Sequence, residues 1–175
     1  MEIIKLQIKG IYRDELTDAA GQLIYQSDWK SNTIVESCRI FLAKVMKNGG
    51  QALNGELGIQ SLQVGIGNDK WDTDGTPLPT ETQELLVDPE PVEITNLSID
   101  YLDKSDQPVS DFTSRIQIRA TLEAKEPAGF ISYPLREFGL VGRFGNEDYL
   151  LNYVTHPVIH KDQLTTLTRT IRLYF

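Results

Sequence analysis

The chain has 175 residues, of which 40% are hydrophobic and 24% charged, a balance typical of a soluble globular domain and unlike that of a disordered or fibrous chain. Its formal net charge is −8, and its one cysteine, Cys38, excludes an internal disulfide framework and any zinc site built from several cysteines. The sequence has no apolar run of the roughly 18–20 residues that a membrane helix needs, and its start lacks a signal-peptide pattern, so we expect neither.

The negative charge is concentrated in the middle of the chain. Residues 54–111 contain 13 acidic side chains and only two basic ones, Lys70 and Lys104, whereas the segments on either side are weakly basic. Since no segment supplies the dense basic footprint that neutralises phosphates, we expect neither nucleic acid nor an anionic membrane as a partner. Two interpretations of the negative charge in residues 54–111 stay open: a solvated face that keeps the protein soluble, or a docking surface for a more basic partner.

The first elements are predicted to form a β-hairpin. Apolar or small residues alternate with polar ones along residues 4–12, which is the period of a half-buried strand. The sequence Asp18-Ala19-Ala20-Gly21 indicates a turn, and residues 22–26 follow as the return strand.

One short amphipathic α-helix, at about residues 33–48, is predicted next. Thr33 and Glu36 have the spacing of a capping box, in which each side chain satisfies a free backbone N–H at the start of a helix. An apolar stripe at helical period follows, and Asn48-Gly49-Gly50 ends the pattern; the stripe consists of Ile34, Cys38, Phe41, Leu42 and Val45. Because Cys38 lies on this stripe, we expect a packed core thiol rather than a reactive one.

A long acidic loop is predicted after the next strand. Residues 61–67 alternate as a strand, and residues 68–91 then contain four prolines among acidic residues. We interpret this loop as a surface insertion within a single β-rich domain that spans residues 1–175. Long loops in compact domains often carry function, so this loop supplies the candidate partner-contact residues. They are Trp71, Asp72, Asp74, Glu81 and Glu84.

Strands account for the rest of the chain. They are predicted at residues 94–101, 115–122, 135–144, 149–154 and 167–175, with a hairpin loop at residues 145–148. Because strands and helices do not alternate, the sequence predicts a mainly β protein: an antiparallel β-sandwich with one short helix.

Motifs for catalysis or ligand binding each fail on one requirement. Asp72-Thr73-Asp74-Gly75 resembles the middle of a calcium loop, but Lys70 takes the first ligand position. Gly65-Ile66-Gly67 lacks the third glycine of a dinucleotide fingerprint, and we interpret these glycines as relieving crowding where the strand leaves the sheet. His156 and His160 on an extended strand would lie about 13 Å apart, too far for one metal ion. We therefore predict no catalytic residues, no cofactor and no metal, and we expect that the protein is not an enzyme.

Three segments, taken in order, resemble a known pattern. Trp29-Lys30-Ser31-Asn32-Thr33-Ile34-Val35 leads into the predicted helix, and residues 62–68, with their Val-Gly-Ile-Gly, lead to residues 82–88. Arg136-Glu137-Phe138-Gly139-Leu140 then precedes residues 153–162 and the closing strand. This order is similar to that of small structural proteins of tailed bacteriophages and contractile injection systems, of the tail-fibre, fibre-adaptor or baseplate-associated type.

The resemblance implies a non-enzymatic structural or assembly protein that acts through subunit–subunit contacts. The implied partners are further copies of itself, as a trimer or ring, and other tail or baseplate proteins. The implied location is the virion or a phage-tail-like particle, after synthesis in the bacterial cytoplasm. Since no long fibrous or coiled-coil segment follows, an adaptor or baseplate component fits better than a whole fibre. Arg136-Glu137-Phe138-Gly139-Leu140 also fits a simple core strand with a charged face.

The alternative hypothesis is a carbohydrate-binding β-sandwich module. Trp29, Trp71 or tyrosine side chains would then serve as flat platforms for sugar rings. This hypothesis requires exposed, coplanar aromatic side chains, whereas an assembly protein requires exposed loops or strand edges that contact other subunits.

Overall fold

The computed structural model of the protein describes residues 8–35, 37–38, 57–111, 113 and 115–174. These residues form twelve strands, one short helix and two further helical residues, Ser37 and Cys38. The elements are β1 (Lys9–Thr17), β2 (Leu23–Gln26), β3 (Lys30–Ile34), β4 (Leu57–Gly65), α1 (Trp71–Asp74), β5 (Val92–Ile94), β6 (Leu97–Leu102), β7 (Pro108–Val109), β8 (Arg115–Leu122), β9 (Ser132–Phe144), β10 (Glu147–Leu150), β11 (Asn152–Asp162) and β12 (Thr166–Tyr174).

The strands form one continuous hydrogen-bonded path in the order β5-β4-β9-β11-β3-β1-β12-β8-β6-β7, with β10 on β9 and β2 on β1. Every pairing along this path is antiparallel. The predicted class, mainly β with antiparallel strands, is therefore confirmed. Strand β3 joins two halves, because it pairs with β1 on one side and with β11 on the other.

The two halves pack on each other through a shared hydrophobic core. One cluster contains residues of β4, β9 and β11 together with residues of β1, β8 and β12. The ring of Tyr12 on β1 meets the ring of Phe138 on β9 edge to face, with 5.1 Å between centroids, although two strands separate β1 from β9 along the path. The sheet therefore folds over on itself, and burial of this cluster joins the two layers.

The predicted first hairpin is present, but the helix does not begin where the sequence predicts. Gly21 has a φ of +80° in the turn at residues 18–22, and β2 and β3 both pair with β1. Residues 4–7 of the predicted first strand lie outside the described residues. Thr33 and Ile34, however, lie in β3 and pair with Tyr153 and Asn152, so Thr33 cannot cap a helix. These β-branched residues fit a strand, and the pairing outweighs the local capping signal.

The remainder of the predicted helix at residues 33–48 lies mostly outside the described residues. Ser37 and Cys38 are helical. Cys38 is buried in the core, as predicted for a packed thiol.

Two predicted strands are each divided in two by the fold. Residues 94–101 contribute to β5, which pairs with β4, and to β6, which pairs with β8 in the other half. Residues 149–154 are likewise divided between β10 and β11 at Leu151. The sequence pattern misses both breaks, because apolar alternation continues while the chain moves from one strand partner to another.

Candidate functional site

The acidic segment, residues 66–91 between β4 and β5, is held against the sheet instead of extending freely from it. It contains α1 and otherwise lacks strands and helices. Its backbone contacts β9 and β11 through several long-range hydrogen bonds. Two adjacent charged residues of β9, Arg136 and Glu137, make most of these contacts. Both are buried.

Arg136 holds the beginning of the acidic segment. Its Nε and Nη2 donate to the two carboxylate oxygens of Asp72 at 2.8 and 2.6 Å, and its Nη1 donates to the carbonyl of Ile66 at 3.0 Å. This two-point pairing fixes the orientation of α1 as well as its position. The hydrogen bonds from Arg136 lower the pKa of Asp72, so the carboxylate remains charged in neutral solution.

Glu137 holds the end of the acidic segment. The backbone N–H groups of Val87 and Asp88 donate to its carboxylate at 3.0 and 2.6 Å, and the hydroxyl of Tyr153 donates to it at 2.7 Å. Burial and the hydrogen bond to Glu137 raise the pKa of Tyr153, which keeps that phenol a donor. A fully buried carboxylate with three donors is well compensated, so Glu137 orders residues 87–88.

Asp88 continues the same network toward β4. Its carboxylate accepts the backbone N–H groups of Ile66 at 2.9 Å and Glu90 at 3.0 Å. The side chains of Glu137 and Asp88 crowd Gly65 at the end of β4. A Cβ on this glycine would lie 2.7 Å from Oε1 of Glu137 and 2.8 Å from Cβ of Asp88. The interpretation of this glycine as relief from crowding is confirmed.

Two further anchors complete the attachment. Thr155 Oγ1 on β11 donates to the carbonyl of Pro77 at 2.7 Å. Leu86 is buried in a small cluster with Val35, Leu150 and Tyr153. The acidic segment is therefore attached near its beginning, middle and end.

The attached segment still exposes apolar side chains. Leu78 is 90% exposed, Leu85 is 74% exposed and Val87 is 48% exposed. Acidic side chains at positions 74, 81, 84 and 90 of the same segment are exposed as well. We call these exposed residues of the acidic segment the contact face. It combines exposed apolar side chains with exposed acidic ones, on a backbone that buried residues attach to the sheet.

The five predicted contact residues divide into two groups. Asp72 and Trp71 position the segment: Asp72 pairs with Arg136, and the Trp71 ring lies against Gly67, where an added Cβ would be 2.4 Å from the ring. Asp74, Glu81 and Glu84 lie at the surface of the contact face. The carboxylate of Asp72 is thus occupied by a guanidinium, which argues against the calcium-loop resemblance at Asp72-Thr73-Asp74-Gly75.

The roles of Arg136 and Glu137 do not follow from the motif in which they occur. That motif fits a core strand with a charged face, whereas both side chains are buried and bind the acidic segment. The available signal was their place in β9, where two charged residues interrupt an otherwise apolar run from Leu135 to Val141. Buried charges need partners, and a long acidic segment is a ready source of them.

A second buried polar cluster joins β1, β11 and β12. Arg169 donates from Nε to Oδ1 of Asp14 at 2.7 Å and from Nη2 to Nε2 of His156 at 3.2 Å. Its guanidinium also lies 3.9 Å from the centroid of the Phe138 ring. Since a guanidinium only donates, His156 Nε2 accepts, and Nδ1 donates to the Pro157 carbonyl at 2.8 Å.

Electrostatics maintain this arrangement. Burial, and then the charge of Arg169, lower the pKa of His156 to about 4, so its ring is neutral at pH 7. Burial alone would raise the pKa of Asp14, but the charge and hydrogen bond of Arg169 outweigh it and lower that pKa. The cluster is thus one ion pair with a neutral histidine beside it.

Neither the histidines nor the tryptophans form an obvious ligand site. His156 is buried and His160 is exposed, and no group of three or more potential metal ligands occurs within residues 8–35, 37–38, 57–111, 113 and 115–174. The guanidinium of Arg172 lies over the Trp29 ring at 4.3 Å, where a sugar would need to stack. In the part of the chain that the structure describes, no helix is long and apolar enough to cross a membrane.

Comparison with known protein families, with curated proteins and with solved structures finds no match to this chain.

Proposed function

We propose that the protein is a non-enzymatic assembly protein of a phage tail or phage-tail-like particle, and that it acts through contacts between subunits. The observation that carries this proposal is the contact face, which the buried side chains of Arg136 and Glu137 hold in one conformation. An ordered surface loses little conformational entropy when it binds a partner, and this favours repeated, specific contacts.

The composition of the contact face supports a protein partner. Leu78 and Leu85 are large apolar side chains with most of their surface exposed, and the exposed acidic groups of the same segment disfavour non-specific contact with other acidic surfaces. An interface with an apolar centre and a polar rim is typical of specific protein association. The partner surface that fits is therefore apolar at its centre and basic at its rim.

Self-association is the first measurement. We expect light scattering on the purified protein to give a mass above that of the monomer, and the double variant Leu78→Ser and Leu85→Ser to lower that mass. The matched control is Leu164→Ser, which changes an equally exposed leucine in the turn between β11 and β12. The control should leave both the mass and the unfolding temperature unchanged.

Particle association is the second measurement. Antibody labelling of purified tails or injection particles from the source cell should place the protein on the particle, and the double leucine variant should label less. A strict monomer that is not found on any such particle contradicts the proposal.

A further inference from the structure

A cleft opens where two neighbouring strands separate. Strand β3 pairs with β11 at only two positions, Ile34 with Asn152 and Thr33 with Tyr153. Continuing this antiparallel register would place Lys30 opposite His156 and Gln26 opposite His160. Instead the strands diverge around a cleft of about 400 Å³, which is lined by Asp14, Leu16, Tyr25, Lys30 and residues 156–160.

Irregularities on both sides keep the cleft open. On β11, Thr155 pairs with Glu137 and Ile159 with Leu135, so three residues, 156–158, lie opposite the single residue Arg136. This bulge includes Pro157, which has no N–H to offer a neighbouring strand. On the other side the chain between β2 and β3 bends toward β1, where the N–H of Ser27 donates to the Asp14 carbonyl at 3.0 Å.

The edge of the cleft is an exposed strand with apolar side chains. Leu23, Ile24 and Tyr25 of β2 are all exposed, and among the described residues β2 pairs only with β1. An uncharged edge strand of this kind presents unpaired backbone groups to another chain. Leu16, Val158 and Ile159 add partly buried apolar surface inside the cleft.

The charges around the cleft differ from those of the protein as a whole. Among the described residues, one acidic side chain lines it: Asp14, which is buried and paired with Arg169, whereas Lys30 and His160 are exposed at its walls. The chain as a whole carries a net charge of −8, which disfavours binding of an acidic peptide, and Lys30 offers such a peptide a local counter-charge.

We propose that this cleft accepts an extended segment of a partner protein in which apolar and acidic residues alternate. The segment adds to the open edge of β2, its apolar side chains pack on Leu16, Tyr25 and Val158, and a carboxylate pairs with Lys30. Backbone hydrogen bonds to a strand edge contribute affinity in this mode, and alternate side chains in pockets contribute specificity. The proposal rests on the proposed assembly function, because it names one partner contact of such a protein.

The probe is a capped seven-residue peptide in which valine alternates with glutamate, carrying a fluorescent label. We expect its anisotropy to rise on binding and the amide signals of residues 23–30, His156 and residues 158–160 to shift in NMR spectra. The same peptide with lysine in place of glutamate should bind about tenfold more weakly, because Lys30 then opposes it.

Two variants test the placement. Lys30→Glu should weaken binding of the valine–glutamate peptide about tenfold and strengthen binding of the valine–lysine peptide. The matched control is Lys104→Glu, a charge reversal in the turn between β6 and β7 that should change neither affinity. Circular dichroism melting confirms that each variant is folded.

Several outcomes overturn the proposal. The first is no binding of the valine–glutamate peptide, and the second is equal binding of that peptide by the Lys30→Glu variant. The third is full competition by acetate at the peptide's own concentration, which indicates a small-anion site. The fourth is a cleft that a second copy of the chain covers. The self-association and particle measurements test the assembly function separately. If the peptide does not bind while the double leucine variant still lowers the mass of the protein in solution, only the cleft proposal is wrong. If the peptide binds to a strict monomer that no particle carries, the proposed assembly function is wrong.

Discussion

Arg136 and Glu137 are neighbours on β9, and their side chains hold opposite ends of the same acidic segment. Arg136 binds the carboxylate of Asp72 at 2.6 Å, and Glu137 accepts the N–H of Asp88 at 2.6 Å. Two consecutive residues of opposite charge thus fix about two dozen residues of loop. The two attachments lie at different ends of the segment, so each can be tested by itself.

Replacing Glu137 should destabilise the whole protein. Glu137→Gln keeps the shape but turns one acceptor oxygen into an NH₂ group, which then faces either the N–H of Asp88 at the Oε1 position or the donors from Val87 and Tyr153 at the Oε2 position. We expect a loss of about 1–3 kcal/mol in the free energy of unfolding, measured with urea, because a buried donor loses its partner. Glu84→Gln, an exposed change in the same segment, is the control and should be neutral; equal effects of the two changes would contradict the role of Glu137.

Replacing Asp72 should loosen the segment without unfolding the protein. Asp72→Asn removes the paired carboxylate of Arg136, whereas Asp74→Asn changes the same helical turn without touching that arginine. Lys70 is the only basic residue within residues 66–91, so trypsin reports on this turn. We expect several-fold faster cleavage after Lys70 in Asp72→Asn and an unchanged rate in Asp74→Asn. Equal rates in the two variants would show that the ion pair does not hold the turn.

Acid should destabilise the protein through His156. Its pKa is about 4 when folded and about 6.5 when unfolded, so the unfolded chain binds a proton first as the pH falls. The contribution of the neutral ring is complete above pH 6.5 and is lost between pH 6.5 and pH 4, by about 3 kcal/mol across that window.

The two histidines provide a matched comparison for this effect. His156→Gln should flatten the dependence of unfolding free energy on pH between 6.5 and 4, since glutamine does not titrate. His160→Gln changes the exposed histidine and should retain the wild-type slope. Urea unfolding at several pH values measures both, and a wild-type slope in His156→Gln refutes the assignment.

Removing the buried side chain of Lys161 should also lower the free energy of unfolding. Lys161 Nζ donates to the carbonyls of Glu123 at 2.8 Å, Glu126 at 2.5 Å and Asp162 at 3.2 Å. Lys161→Met keeps the length of the side chain but leaves these three acceptors without their donor, so we expect a loss of about 2–4 kcal/mol. Lys125→Met, an exposed change in the turn after β8 whose carbonyls Lys161 binds, is the control in thermal melts. A loss below 1 kcal/mol in Lys161→Met would mean that water replaces the ammonium.

Alternation of residue type was enough to predict most of the strands. Leu167, Ile171 and Leu173 are all buried on one face of β12, as their spacing predicts, because side chains two positions apart share a face. Arg169 lies on that same face and is also buried, and a charged residue in an apolar row signals a buried partner. The position of Arg169, which interrupts the apolar row, therefore indicates where the buried polar cluster forms.

The false helix start at Thr33 has a different cause. A capping box is a local signal worth about 1 kcal/mol, and it competes with every contact that the folded chain can make. Thr33 and Ile34 pair with Tyr153 and Asn152, more than a hundred residues later in the chain. Such pairings cannot be read from a window of ten residues, since they depend on which strands become neighbours.

The chain by itself determined the class of fold, the first turn, the position of the acidic segment and the burial of Cys38, because each follows from the order of nearby residues. The tertiary structure alone decided which charges are buried and with what partner. Arg136 meets Asp72 across 64 positions and Arg169 meets Asp14 across 155. Loss of hydration makes the free energy of burying an unpaired charge very unfavourable, so these charges are buried only where folding brings both partners together. No local sequence pattern specifies which two residues will pair.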